Sequence, residues 1–178
     1  LLLLFFQKDI KSWFTDTKYP VRLEFLGSHI NAFSNDSEIV WTYMLDNDVV
    51  LNVEKKPIVK YEIADIDSDG KKEIIAGIET TAEARKRYHV YCFSPNGELL
   101  WKKKVGRRTT WGEDNIKEDN FHLNSIIIND VNHDGFSEIL IVSNHNLYFP
   151  AFLNVFAHDG EKIGEWLNWG RIFDINIH

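Results

Sequence analysis

Asp65, Asp67 and Asp69 alternate along the stretch "DIDSDGKKE", Gly70 follows at once, and Glu73 closes the group. Alternate carboxylates on a tightly curled loop converge on one centre. Hard cations such as calcium take several oxygen ligands at about 2.3–2.6 Å. The expected ligand set is the side chains of Asp65, Asp67, Asp69 and Glu73 with the backbone carbonyl of Lys71. Gly70 lets the backbone turn where a side chain would be strained. Without a cation, carboxylates about 4 Å apart repel by about 4 kcal/mol per pair at an effective dielectric near 20. Several such pairs in one loop call for neutralisation.

The pattern occurs twice. "DVNHDGFSEILIV" at 130–142 matches "DIDSDGKKEIIAG" at 65–77 at an offset of 65. The second expected set is Asp130, Asn132, Asp134 and Glu138 with the carbonyl of Phe136, and Gly135 repeats Gly70. A solvated Asp/Gly-rich turn predicts acids without register, so two copies in one register count against it. An EF-hand needs a bidentate acid at loop position 12 and helical flanks. Position 12 is Ala76 in one copy and Ile141 in the other, which rules the EF-hand out. The first loop supplies four carboxylates and the second three plus an amide. The first is therefore expected to bind calcium more tightly, both in the range of about 10⁻⁴–10⁻³ M seen in extracellular modules.

The elements around the loops read as strands. "IVKYEIA" and "LNSIIIN" lead in, and "EIIAGI" and "EILIVS" lead out, all short, Ile/Val-rich and bounded by turn residues. No segment keeps a helical period over several turns, so the chain reads as all-β. A second repeat lies between the loops. "INAFSNDSEIVW" at 30–41 matches "VYCFSPNGELLW" at 90–101, with a looser copy in "LNVFAHDGEKIG" at 153–164. Each is strand, polar turn, strand, the pattern of a β-hairpin. Trp41, Trp101 and Trp166 lie near the hairpin ends and are expected in the core between units. Cys92 falls where the other copies have Ala32 and Val155, and reads as a small core residue.

One unit is thus four antiparallel strands in about 60–65 residues, a sheet that must stack on copies of itself to bury both faces. The chain holds about two and a half to three such units, and a closed propeller takes about 4–8 blades. Part of a larger propeller is therefore expected. "RIFDINIH" at 171–178 resembles the lead-in strand of a further unit.

These residues resemble a known family. The pattern D-x-[DN]-x-D-G-x-x-[DE] on a strand–loop–strand, within a repeat of about this length, is similar to the FG-GAP/VCBS repeats of integrin-α-type β-propellers. The resemblance covers residues 30–178. It implies a calcium-binding propeller module with structural metal at two sites. It also implies extracellular, cell-surface or periplasmic binding or adhesion to a protein or carbohydrate ligand. Two alternatives stay open: an accessory or catalytic propeller of a carbohydrate-active enzyme such as a polysaccharide lyase, and the sensor domain of a membrane-anchored receptor.

Residues 1–29 carry no metal loop. They read as a degenerate blade, a connector or the end of a membrane anchor. "LLLLFF" is too short to cross a bilayer, which takes about 20 residues. No initiator Met or basic segment precedes it, so the chain is expected to start inside a longer reading frame, with anchoring upstream of residue 1 one outcome.

A formal net charge of −7 gives no field for nucleic acid, and the basic runs at 83–88 and 102–108 read as solvated. One cysteine allows neither an intrachain disulfide nor a cysteine metal site. No enzyme constellation is visible. The seven histidines (His29, His89, His122, His133, His145, His158 and His178) show no H-E-x-x-H spacing, and no G-x-S-x-G elbow occurs. Binding residues are better sought in the linkers. There Trp111, Tyr148 and Phe149 suit a sugar or a protein partner, unless they pack under their own loops.

Overall fold

The computed structural model of the chain describes residues 18–82, 85–111, 114–116, 121–147 and 149–177. Among these it is all-β, with no helix. Three antiparallel sheets follow one another in sequence. The first contains β1 (Arg22–Leu26), β2 (His29–Phe33) and β3 (Ile39–Met44). The middle sheet contains β4 (Val59–Ala64), β5 (Glu73–Ala82), β6 (Arg85–Phe93) and β7 (Leu99–Lys104). A small hairpin, β8 (Thr109–Trp111) and β9 (Asp114–Ile116), leads to the third sheet. This contains β10 (Phe121–Asn129), β11 (Glu138–His145), β12 (Ala151–Phe156) and β13 (Lys162–Asn168). Within each sheet the strands pair in chain order, and each acidic loop joins a sheet's first strand to its second.

Period-two alternation places the core on both faces of the middle sheet. Ile74, Ala76, Ile78, Tyr91 and Phe93 meet Leu23, Ile30, Ala32 and Trp41 of the first sheet. Ile75, Val90, Cys92 and Trp101 meet Leu123, Ile126, Ile139, Ile141 and Phe152 of the third. Strand β5 therefore reads as a continuous apolar run, as a strand covered on both faces must. Gly77 sits where the third sheet comes closest: a Cβ there would lie 2.0 Å from Leu123 Cδ2.

The hairpin repeat is geometric as well as sequential. In each sheet a bulge falls at the repeated phenylalanine, between Ala32 and Phe33, Cys92 and Phe93, and Val155 and Phe156. The turns close through matching backbone bonds, Ser34 N to Glu38 O, Ser94 N to Glu98 O and Ala157 N to Glu161 O, at 2.8–2.9 Å. Ser37, Gly97 and Gly160 each take positive φ in them. The tryptophans tie one sheet to the next. Trp41 Nε1 donates to Pro95 O at 3.1 Å and Trp101 Nε1 to His158 O at 3.2 Å. Both indoles are buried, as the repeat implied.

Trp166 departs from that expectation at 61% exposure. Eight residues after the repeated phenylalanine stand Trp41, Trp101 and, in the third copy, Gly164. Trp166 lies two positions further on, opposite Leu153, on a face that no described sheet covers. Two further expectations are modified. The polar stretch "TTAEARKRY" at 80–88, whose basic part at 83–88 reads as solvated, is strand up to Ala82 and again from Arg85, paired Thr80 to Arg87 and Ala82 to Arg85. Its β-branched threonines fit the pleated surface. Residues 171–177 of "RIFDINIH" form no strand, and Ile172 instead exchanges bonds with the Asn144 carboxamide at 3.0 Å each way. In the N-terminal segment, β1 pairs with β2 from Arg22 to Leu26, so the first sheet begins ahead of the repeat boundary at residue 30.

Candidate metal centre

Both acidic loops leave a strand whose last residues are paired and return as the central, buried strand of the same sheet. In the first loop, Gly70 N donates to Asp65 Oδ2 at 3.0 Å, Asp69 N to Asp67 Oδ1 at 3.1 Å and Lys71 N to Asp69 Oδ1 at 2.8 Å. In the second, Gly135 N donates to Asp130 Oδ2 at 3.0 Å, Asp134 N to Asn132 Oδ1 at 2.8 Å and Phe136 N to Asp134 Oδ1 at 2.9 Å. Ser68 and His133 share a positive φ of 61° and 62°, and Gly70 and Gly135 of 85° and 94°. At the closing acid, Glu73 Oε2 accepts from Ile66 N at 3.2 Å and Glu138 Oε2 from Val131 N at 2.9 Å. These are one loop built twice.

The loops differ in what fills their centres. Asp65, Asp67 and Glu73 each bring a carboxylate oxygen within 4.8 Å of the others, the one such group of acids, histidines or cysteines among the described residues. Glu73 is only 5% exposed, and Asp65 Oδ1 is buried with no hydrogen-bond partner. Burial, and then repulsion from Asp67 and Asp69, hold the Glu73 carboxyl above its ordinary value of 4.5. Asp69 stands apart from this group. The Lys71 ammonium, 2.9 Å from Asp69 Oδ2, holds its carboxyl below the usual range.

In the second loop the Asn132 amide occupies the middle. Its Nδ2 donates to Glu138 Oε1 at 2.9 Å and to Asp134 Oδ2 at 3.0 Å. An N–H pair thus supplies the positive pole that the first loop lacks, and a cation entering here must displace it. His133 is exposed at its non-ligand position.

One feature had no sequence signal: the two loops touch. Ser137 N donates to Ile66 O at 2.9 Å, and the Ser68 hydroxyl donates to Gly135 O at 2.5 Å. Ile66, between the first two acids, is 1% exposed in the core between the middle and third sheets. Its counterpart Val131 is 39% exposed. The first loop is therefore anchored by a core side chain, and the second leans on it through backbone and Ser68.

Of the linker aromatics, Phe149 is 74% exposed. Tyr148 and the Trp111 side chain lie outside the described residues. No protein-family model matches the chain, and neither does any curated protein.

Proposed function

We propose that the chain is a calcium-binding β-propeller repeat module of the FG-GAP/VCBS type, with metal in a structural role. The observation that carries the reading is the convergence of Asp65, Asp67 and the buried Glu73 within 4.8 Å. A buried carboxylate facing two others, beside an orphaned Asp65 oxygen, is costly alone and favourable around a divalent cation. The first loop offers the side chains of Asp65, Asp67 and Glu73. Asp69 joins once it releases Lys71, and the Lys71 carbonyl completes the expected shell. The second loop offers Asp130, Asn132, Asp134 and Glu138 with the Phe136 carbonyl, after the Asn132 amide turns its oxygen inward.

The repeated sheets, each presenting its tryptophan to the turn of the next, support the propeller part of the reading. A calcium-held scaffold suits an extracellular, cell-surface or periplasmic setting, where calcium is plentiful, and a role in binding or adhesion to a protein or carbohydrate rather than nucleic acid. Thermal unfolding in chelator and in millimolar calcium tests the reading. A raised midpoint with calcium, absent in a chain carrying both Asp65→Ala and Asp130→Ala, is expected. An unchanged midpoint in the wild type overturns it.

A further inference from the structure

We infer that the two acidic loops act as one coupled unit, so that a cation in either loop strengthens binding in the other. This rests on the calcium reading above and goes beyond it, because two separate clips need not communicate. The contacts that join them involve the groups a metal would order. Ile66 donates its N–H to the Glu73 carboxylate and accepts from Ser137 N with its carbonyl. Ser137 lies between Phe136 and Glu138, the carbonyl and carboxylate expected to close the second shell. Gly135 donates to Asp130 and accepts from the Ser68 hydroxyl. A cation that fixes Asp67 and Glu73 therefore also fixes Ser68 and the Ile66 peptide. The second loop leans on these same groups.

Two observations outside this hydrogen-bond frame support it. The Asp65 Oδ1 atom is buried in the first cluster without a partner, which marks that centre as the one that gains most from a ligand. The Ile66 side chain is locked in the core between the sheets, so the connecting peptide cannot relax independently of them. Ordering one loop lowers the ordering cost left for the other, which is positive coupling without a large change of shape. By linkage the effect must be reciprocal.

Calcium titration calorimetry on four chains tests this: wild type, Asp67→Ala, Asp130→Ala and Ser68→Ala. The single-loop variants give each site's affinity with its neighbour disabled. In the wild type the product of the two binding constants should exceed the product of those single-site values about fivefold. Ser68→Ala should lower the excess, leaving the part carried by the bond from Ser137 N to Ile66 O. Circular dichroism checks that each variant folds. Where a loop variant does not fold, the loss of binding steepness between wild type and Ser68→Ala decides. Two bound calcium ions with no excess, or an excess unaltered in Ser68→Ala, overturn the coupling and leave the calcium reading standing. No calcium heat in the wild type overturns both.

Discussion

Trp101 lies so close against Gly160 that a Cβ on the glycine would come within 2.6 Å of the indole Cγ. The same pairing joins Trp41 to Gly97, also at 2.6 Å, one sheet earlier. Each tryptophan thus closes on the hairpin turn of the following sheet, where the backbone has positive φ and no side chain stands in the way.

Gly160→Ala should therefore destabilise the chain by about 2–4 kcal/mol, the strain of a left-handed non-glycine residue added to overpacking against the indole. Gly70→Ala meets nothing within 4 Å, and should cost only the conformational part, about 1–2 kcal/mol. Urea unfolding of both variants in calcium gives the comparison. Equal losses contradict the packing account of the socket.

Glu73→Gln should reverse sign with calcium. In chelator it removes a buried charge that faces Asp65 and Asp67, while the amide oxygen still accepts from Ile66 N, so stability should rise by about 1 kcal/mol. In millimolar calcium it should lose most of the metal's stabilisation and fall below wild type. Melting curves under both conditions show whether the order crosses. A variant below wild type in both places Glu73 in a purely structural role.

The raised Glu73 carboxyl fixes a pH dependence. A group whose folded value is raised contributes stability that is present below its unfolded value and lost as pH rises through the folded one. In chelator this contribution is thus full below about 4.5 and fades above it. For calcium the direction is opposite, because proton and cation compete for one carboxylate. Affinity at the first loop should begin to fall on acidification above pH 4.5. Asp69, held low by Lys71, stays ionised through that window. Calorimetry at pH 7.5 and 4.5 on Asp130→Ala should give the weaker binding at 4.5, where a carboxyl held above its ordinary value is mostly protonated, and equal binding contradicts the assignment.

Cys92 gives an independent clock. It is fully buried between the middle and third sheets, and burial pushes its thiol well above the ordinary range. A thiol reagent should reach it only when those sheets part. Calcium at tenfold over Kd should slow labelling about tenfold, the one-site linkage expectation. Identical rates with and without calcium indicate that the metal does not hold this pair of sheets together.

Much of this was readable from the chain. The register of Asp65 with Asp130 and of Phe33 with Phe93 located the loops and hairpins, because a tightly curled acidic loop and a tight turn each demand fixed residue types at fixed spacing. The all-β class followed from short Ile- and Val-rich runs. Trp166 was misplaced because proximity to a hairpin end does not specify a face; the register position belongs to Gly164. The strand pair across "TTAEARKRY" was hidden because its polar and basic residues lack the apolar alternation of the other strands. The bond from Ser68 to Gly135 joins residues 67 apart through a side chain and a carbonyl, and neither has a sequence signature. The role of Asn132 as an internal donor was equally hidden, since an amide offers the cation an oxygen or the carboxylates a nitrogen.

The central claim is that the acidic loops bind calcium, and calorimetric titration of the wild-type chain tests it most directly. The account predicts two sites with Kd of about 10⁻⁴–10⁻³ M. Asp65→Ala should remove the tighter and Asp130→Ala the weaker. Equal residual heats in the two variants contradict the ranking, and no calcium heat in the wild type contradicts the claim itself.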